Sequence, residues 1–326
     1  MPLSFSQLAA FRAVADAGGV GRGAEKLLVS QPAVSKHIRQ LERTLGVASF
    51  DRTPKGVRPT HAGELLADYA RRIFALADEA EQAVADLRGL RRGKLAIAAS
   101  PTLGVYFLPG PLVRFRRDFP DVTVAVEVEN STVLQRRLLD GDVELGFSEV
   151  QPQRREIDAH VFLHDQLIAV ASPRHPLAKK HVAWASRPST SVTAGAWARR
   201  PSHECRSIAL ADLARQPFVV RETGSTTKSM VERALADRGL AITPVMSLGS
   251  TEAIKQAVAG GVGVAIISRL AAAPDLATRR LVQLNVKNLA LWRPLYRLSL
   301  HGRRQSAAAG AFLELVRSEA APKPRQ

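Results

Sequence analysis

The sequence predicts an α/β protein in which a small helical N-terminal part precedes a larger part of alternating strands and helices. Apolar residues recur at helical spacing almost continuously from residue 4 to residue 90. At Gly93 the period changes, and short strand-like apolar runs then alternate with helical stretches. Such alternation is typical of parallel β-α units in a doubly wound sheet.

The charge is unevenly spread, with a basic N-terminal block beside a neutral and an acidic one. The 326 residues are enough for more than one domain, and the formal net charge is +16. Residues 1–60 carry nine Lys and Arg against four Asp and Glu, whereas residues 95–178 carry eight against eleven. This balance favours a small nucleic-acid-binding module joined to a sensing domain. A merely soluble, Arg-rich protein is the alternative.

Several function classes are disfavoured by what the sequence contains. A single cysteine, Cys205, rules out a disulfide framework, and Arg12 and Asp16 interrupt any signal-peptide pattern, so we expect a cytoplasmic protein without a membrane anchor. The histidines lack metal-ligand spacing, and the glycines at 259–265 do not open a helix after a strand. We therefore expect no metal, no cofactor and no enzymatic activity. A solute-binding or catalytic α/β protein without a regulatory role is the alternative.

The N-terminal part predicts three helices, at residues 4–17, 22–28 and 31–45. The third carries an apolar stripe made by Val34, Ile38, Leu41 and Leu45. Residues 50–60 hold Pro-Lys-Gly between polar residues, as a turn or a two-stranded wing would. The helical pattern at 61–90 is long for a helix that packs only within its own domain, which suggests pairing with another copy.

The third helix begins with residues suited to reading DNA. Ser30 is a good N-cap, and Pro32 is tolerated in the first turn because that amide has no partner there. Gln31 can pair with adenine in the major groove, and Arg39 is placed to contact phosphates. The short predicted helix at 22–28 precedes this one, which gives helix-turn-helix geometry. The predicted DNA-binding residues are Gln31, Pro32, Ser35, Lys36 and Arg39 on the helix and Arg52 and Arg58 on the wing, where Lys55 adds charge. A solvated helix start in an ordinary bundle is the alternative.

Residues 5–63 resemble the N-terminal domain of LysR-type transcriptional regulators, most specifically in Val-Ser-Gln-Pro-Ala-Val-Ser at 29–35. The other matching residues are Gln7, Leu8, Phe11, Val14, Ala15, Ala24, Leu27, Ile38, Leu41, Glu42, Leu45, Gly46, Phe50, Arg52, Pro59, Thr60 and Gly63. The resemblance implies a winged helix-turn-helix, a dimerising linker helix and a two-lobed effector domain similar to periplasmic binding proteins. It also implies homodimers or homotetramers whose small-molecule effectors change the bend of promoter DNA, with RNA polymerase as a further candidate partner. The C-terminal part is most similar to regulators of carbon fixation and of sulfur metabolism.

The predicted organisation follows from this resemblance. The parts are a DNA-binding domain at 1–60, a linker helix at 61–90, an effector domain at 93–305 and a C-terminal helix and tail at 306–326. Within the effector domain, lobe I covers about 93–165 and 269–305, and lobe II covers about 166–268. Its predicted strands are 94–100, 122–128, 143–147, 165–172, 218–220, 242–248, 262–268 and 295–301, and its predicted helices are 104–118, 131–140, 226–238, 251–259 and 306–318.

Three stretches depart from the family pattern. Gly19, Gly21 and Gly23 lie in the stretch where the family usually has Ser-Phe-x-x-Ala-Ala, at a cost of about 1 kcal/mol for Gly23 alone, so we expect a second helix that is loose until it docks. Ser49 stands where an aliphatic residue usually precedes Phe50. Residues 179–206 form an insertion without periodicity, which we expect to be a disordered surface loop.

Hydroxyl-rich turns predict a cleft for an anionic or polar effector. The candidate residues follow predicted strands and begin helices: Ser100, Thr102, Asn130, Thr132, Thr223, Gly224, Ser225 and Thr226. Free amides and hydroxyls at helix starts bind carboxylate, sulfate or phosphate, and ligands gather at the carboxyl ends of parallel strands. The alternative is that each side chain only caps its own helix. Arg221 and Glu222 flank the last turn and either close over the ligand or pair with each other.

Overall fold

The structure is a computed structural model that describes residues 3–54, 56–86, 93–181 and 207–320. Residues 87–90 of the predicted linker helix, residues 182–206 of the predicted insertion, and Lys55 lie outside the described residues. The described chain forms two compact units, one containing the N-terminal helices and the other containing a large sheet.

The first unit is built from the three predicted helices, α1 (Phe5–Ala17), α2 (Val20–Leu27) and α3 (Gln31–Leu45). Ser4 begins α1 with a reciprocal capping box, in which its hydroxyl accepts from the Gln7 amide at 3.2 Å. The second helix starts two residues earlier than predicted and ends at Leu27. In α3 the apolar stripe is buried as far as Leu41, whereas Leu45 at its end is 36% exposed.

Close packing of α2 on α1 depends on the glycine that the sequence marked as a weakness. A Cβ on Gly23 would lie 2.8 Å from Val14 Cγ2 and 3.0 Å from the Val14 backbone. Gly23 therefore allows α2 to approach α1 more closely than alanine would. The contact offsets part of the helix-propensity cost, because it buries Val14 and Ala24 in the core of the unit.

The two-stranded wing is present as an antiparallel hairpin. Strands β1 (Phe50–Thr53) and β2 (Gly56–Pro59) pair in a register that sets Phe50 opposite Pro59. Ser49 is buried just before the hairpin, where its amide and hydroxyl donate to Glu42 Oε1 at 2.8 and 2.9 Å. The polar residue thus replaces an apolar contact with two hydrogen bonds to α3, which joins the wing to that helix.

The linker helix α4 (His61–Asp86) presents two different faces. Leu66 and Ala70 are buried against α1 and α3 in the core of the first unit. Apolar side chains on the other side remain exposed, at helical spacing: Leu65, Tyr69, Leu76 and Val84.

The second unit contains one mixed sheet. In chain order its strands are β3 (Gly93–Ala99), β4 (Val122–Val128), β5 (Leu145–Ser148), β6 (Ile157–Ala171), β7 (Pro217–Arg221), β8 (Thr243–Leu248), β9 (Val264–Ser268), β10 (Val282–Gln283) and β11 (Leu291–Leu300). Their spatial order is β4-β3-β5-β11-β6-β9-β7-β8, with β10 on β6. The β-α units at both ends are parallel, as predicted, but β6 and β11 run antiparallel through the middle.

The helices of this unit are α5 (Pro101–Tyr106), α6 (Pro109–Asp118), α7 (Ser131–Leu139), α8 (Pro176–His181), α9 (Leu210–Ala214), α10 (Thr226–Ala236), α11 (Thr251–Ala259), α12 (Arg269–Ala277) and α13 (Ala307–Ala320). The single helix predicted at 104–118 was wrong. Two helices replace it, because Pro109 lacks an amide proton and restricts the residue before it, so it begins a new helix.

Two separate apolar cores lie along the sheet. One surrounds β3, β5 and α13, around Phe115, Phe147 and Phe312. The other part of the sheet, around β7 and β9, is covered on both faces by further apolar clusters. Ala272 of α12 packs in this second part, although the predicted boundary assigned residues 269–305 to lobe I. We call the two parts lobe I and lobe II below.

Gly23→Ala is expected to lower the free energy of unfolding by about 1–2 kcal/mol, because the new methyl overpacks against Val14. Gly21→Ala in the same helix is the matched control, since its Cβ would meet only Gln31 Oε1, at 3.7 Å. That change should stabilise the chain by up to about 1 kcal/mol through helix propensity. Urea unfolding of the full chain measures both, and equal stabilisation by the two alanines would contradict the packing argument.

Candidate functional sites

The start of α3 is an exposed, sharply defined helix end. Ser30 Oγ accepts from the Ala33 amide at 3.4 Å, and Pro32 occupies the first turn. Most of the predicted reading face is exposed and Ser35 is half-buried; the exposed members are Gln31, Pro32, Lys36 and Arg39. The opposite face is buried in the core of the unit, so the helix can present its front without losing its packing.

The wing places its two predicted cations on opposite faces of the hairpin. Arg58 stands opposite Asp51, whereas Arg52 stands opposite Val57, which packs against the core. Cross-strand partners share a face and successive residues alternate, so Arg58 lies on the outer face and Arg52 on the core-facing side towards the tip. Both are exposed. The structure therefore does not bring them together as one patch.

A buried ion pair lies at the middle of the large sheet. Arg293 of β11 is the register partner of Asp165 on β6, and the two residues are 4% and 2% exposed. Arg293 Nε donates to Asp165 Oδ2 at 3.0 Å, and Nη2 lies 2.9 Å from the same oxygen. The pair sits where the two long strands pass from one apolar core to the other.

The same guanidinium donates hydrogen bonds to hydroxyls of both lobes. Its Nη2 donates to Thr102 Oγ1 of α5 at 3.4 Å, and its Nη1 donates to Thr227 Oγ1 of α10 at 3.1 Å. Glu149, which follows β5, comes within 3.7 Å of Nη2. Thr102 was predicted as an effector contact and is buried here. Two helix starts that are far apart in the sequence therefore meet at one cation.

The other predicted effector residues divide into three groups. Asn130 and Ser225 accept hydrogen bonds from backbone amides and cap their own helices, which is the alternative role expected for these side chains. Ser100 Oγ is buried and has no hydrogen-bond partner among the described residues, although its amide donates to the Phe147 carbonyl at 2.8 Å. The remaining members are exposed: Thr132, Thr223, Gly224 and Thr226.

Arg221 and Glu222 pair with each other in a bidentate contact, with N–O distances of 2.7 and 2.8 Å. These hydrogen bonds hold the pKa of Glu222 below its usual value. Arg221 also donates to Thr251 Oγ1 at 3.1 Å. A small pocket beside this pair is lined by Arg221, Thr227 and Lys228 together with apolar side chains.

The residues that reasoning from the sequence missed are charged groups within the sheet and beside it. They are Glu149, Asp165, Arg269 and Arg293. Arg269 begins α12 and donates to Gln166 Oε1 at 3.0 Å, and burial lowers its pKa. The available signal was a charged residue inside an otherwise apolar strand, as in the stretch Leu-Trp-Arg-Pro-Leu-Tyr at 291–296.

Two family models cover most of the chain. The helix-turn-helix domain of bacterial regulatory proteins of the lysR family matches residues 5–64, and the LysR substrate binding domain matches residues 88–188 and 194–321. The chain belongs to the LysR family. It is accordingly a DNA-binding transcriptional regulator with an effector-binding domain, as the sequence predicted, and its curated relatives are named as regulators rather than enzymes.

Relatives and solved structures agree with this assignment. The LysR-type chain is 36% identical over 321 residues to the RuBisCO operon transcriptional regulator of Allochromatium vinosum, covering 98% of each, which confirms the predicted similarity to carbon-fixation regulators. The regulatory domain of Synechocystis CcmR in complex with 2-PG superposes with a TM-score of 0.58 at 25% identity, covering 72% of this chain and 100% of that one. Full-length CbnR complexed with target DNA superposes with a TM-score of 0.61 at 23% identity, covering 97% and 100%.

The described residues hold neither a membrane-spanning helix nor a metal cluster. No described helix is long and apolar enough to cross a membrane. Within the same ranges, no group of His, Cys, Asp and Glu side chains is arranged to hold a metal ion.

A second polar cluster of this LysR-type regulator connects α5 with α11 and α12. Lys255 is 3% exposed, and its Nζ lies 2.7 Å from Asp275 Oδ2 and 2.8 Å from Glu252 Oε2. Tyr106 of α5 donates to Glu252 Oε2 at 3.1 Å, and the Lys255 ammonium lies 4.9 Å from the centre of its ring. Burial alone would lower the pKa of Lys255, but hydrogen bonds to Asp275 and Glu252 raise it overall.

Lys255→Met is expected to lower the free energy of unfolding by about 3 kcal/mol, because it leaves the buried Asp275 Oδ2 without its cation, while Arg280 stays on Oδ1. The raised pKa fixes the pH dependence: the stabilisation is full below the usual lysine value of 10.5 and is lost as the pH rises through the raised pKa. Thermal unfolding of the full chain against pH should therefore show a constant gap between wild type and variant that closes only in strong alkali.

Lys228→Met provides the control for this prediction, since the Lys228 side chain is 21% exposed and lies 3.9 Å from Glu232. Its effect should stay within about 1 kcal/mol. A gap that closed near neutral pH would show that the Lys255 cluster is not the source of the stabilisation.

Proposed function

We propose that this regulator reads promoter DNA with the start of α3 and its wing, and that a small anionic effector bound between lobe I and lobe II controls the bend it imposes. The observation that carries the proposal is the meeting of Thr102 and Thr227 at the Arg293 guanidinium. Because the binding groups of this site lie on both lobes, their distances from one another change when the lobes move. RNA polymerase is the further partner expected at a promoter, and the cytoplasm is the compartment where such DNA is found.

The DNA-binding part of the proposal is supported by the exposure and charge of the first unit. Gln31 offers an amide for bidentate pairing with adenine, and Lys36 and Arg39 supply positive charge along the same helix. The wing cations are exposed outside the helix-turn-helix and can contact the backbone, with the outer-face Arg58 and the tip-side Arg52 reaching different phosphates. Ser35 and Pro32 complete the contact surface.

The effector part of the proposal rests on the chemistry around Arg293. The guanidinium, the hydroxyls of Thr102 and Thr227 and the buried Ser100 hydroxyl are all suited to oxyanions. Lys228 and Arg221 add positive charge beside the pocket in lobe II. The CcmR structure named above contains 2-PG, so an anionic effector is consistent with a relative of the same fold.

The mechanism proposed is population shift between two arrangements of the lobes. A ligand that bonds to hydroxyls of both lobes favours the arrangement in which those hydroxyls are closest, and it can shift the equilibrium only by its difference in affinity for the two states. The proposed consequence is a different spacing of DNA-binding domains in the oligomer, and hence a different DNA bend. The exposed apolar face of α4 is the proposed dimer contact.

Variants of α3 should separate base reading from phosphate contact. Gln31→Ala is expected to relax sequence choice, with a loss of about 1–3 kcal/mol on the preferred site and little loss on other sequences. Arg39→Ala is expected to weaken binding to all sequences and to reduce the salt slope by about one unit. Titrations of full-length protein on selected and scrambled duplexes at several salt concentrations measure both. Equal losses on all sequences for Gln31→Ala would contradict a base contact.

Thr102→Ala is expected to abolish the thermal shift that a small anion causes in the full chain, because it removes a hydroxyl that meets Arg293. Thr227→Ala should do the same from lobe II. A panel of phosphate esters, carboxylates and sulfur oxyanions identifies the ligand class, and Thr243→Ala on the exposed edge strand is the control. Unchanged shifts in both variants would place the effector elsewhere.

A further inference from the structure

The side chain of Arg22 lies across the end of α1 in the first unit. Its Nε donates to the Ala17 carbonyl at 2.7 Å, and its Nη2 donates to the Gly18 carbonyl at 3.0 Å. These carbonyls end a helix, where backbone oxygens lack helical partners and carry partial negative charge. A forked cation satisfies two of them at once, so Arg22 extends the C-cap made by Gly18 with its φ of 64°.

The Gly18 carbonyl also forms a hydrogen bond with the wing. The Val57 amide of β2 donates to the Gly18 oxygen at 3.2 Å. At Gly56 the backbone has a φ of +139°, and an added Cβ would lie 2.3 Å from the Gly18 oxygen. The wing backbone therefore rests directly on the end of α1, at a position that only glycine allows. The Gly18 carbonyl oxygen thus accepts from both the Arg22 guanidinium and the Val57 amide near the tip of the wing.

Glycines leave room for this guanidinium. A Cβ at Gly18 or Gly19 would lie 3.3 or 3.4 Å from Arg22 Nη2, and one at Gly56 would lie 3.8 Å away. The guanidinium therefore packs over bare backbone on the α1–α2 turn and next to the wing. Of these positions, Gly18 is the one where a side chain would crowd the guanidinium, and its φ of +64° also favours glycine.

We propose that Arg22 is a positioning residue for DNA recognition, because it fixes the wing relative to the recognition helix through the Gly18 carbonyl. α1 is the element that both α2 and the wing rest on, and α2 leads directly into α3. By holding the end of α1, Arg22 sets where Arg52 and Arg58 stand when Gln31 enters the groove. This inference rests on the proposed DNA-binding surface, and its test is designed so that the two can fail separately.

The experiment uses the full chain and a duplex that the wild-type protein selects from a random-sequence pool. Arg22→Ala is expected to weaken binding about 10-fold or more and to remove hydroxyl-radical protection at the flanks contacted by the wing. Protection at the centre of each half-site, which α3 covers, should remain. The salt slope should fall by more than one unit, because both wing cations, Arg52 and Arg58, then leave the phosphate backbone.

Two further variants control this result. Lys26→Ala removes a cation from the same helix. Lys26 pairs with Asp16 at 3.1 Å and does not contact the wing through this pair, so the variant should keep the full footprint. Gly56→Ala breaks the wing contact from the other side and should reproduce the loss of flank protection. Because both changes act on one contact, the double variant should bind about as well as the weaker single variant.

The outcomes separate the hypotheses. If wild type selects no sequence, the proposed DNA-binding surface fails. If it selects one and Arg22→Ala loses only one unit of salt slope with an intact footprint, Arg22 is a plain phosphate contact and the positioning role is wrong. Additive losses in the double variant would also overturn it. Should Arg22→Ala fail to fold, Gly56→Ala and Arg22→Lys decide, the lysine being expected to recover part of the flank protection.

Discussion

The organisation of the effector domain depends on one buried ion pair, Arg293 with Asp165, at the centre of the strands that both lobes share. Burying two charges is costly, and a well-packed apolar pair is often no less stable. What the pair adds is geometry. The guanidinium still has donors after binding Asp165, and it directs them to hydroxyls of Thr102 and Thr227 on helices of different lobes. In the proposed function, the side chain that joins β6 to β11 is therefore also the one that meets the effector.

The sequence predicted the start of α3 far better than the polar cluster around Arg293, and the reason is the range of the interactions. The start of α3 is set by Ser30 and Pro32, which act on amides within the same turn. The cluster around Arg293 is set by contacts across long separations, since Arg293 and Thr102 are 191 residues apart and Arg293 and Asp165 are 128 apart. Local pattern showed hydroxyls at helix starts, including Thr102, but no local pattern could show which of them would meet at a cation.

The errors in element assignment have a similar origin. Strand β6 runs from Ile157, yet only residues 165–172 were predicted, because Asp158, His160 and His164 interrupt the apolar pattern of its first half. That half pairs with β11 along its whole length, and the long-range ladder overrides the weak local signal. The antiparallel course of both strands was equally invisible, since strand direction depends on where the chain returns to the sheet. These two strands are also the ones that carry the ion pair.

The glycine-rich turn shows how a local weakness can be offset by a tertiary contact. Taken alone, Gly19, Gly21 and Gly23 predict a loose second helix. In the folded unit Gly23 lets α2 approach Val14, and the Ala17 and Gly18 carbonyls accept from the Arg22 guanidinium. Gly56 likewise allows a close backbone contact on the wing, where a side chain would collide with the Gly18 oxygen. The Gly18 carbonyl at the end of α1 thus joins the wing, through the Val57 amide, to α2, through the Arg22 side chain.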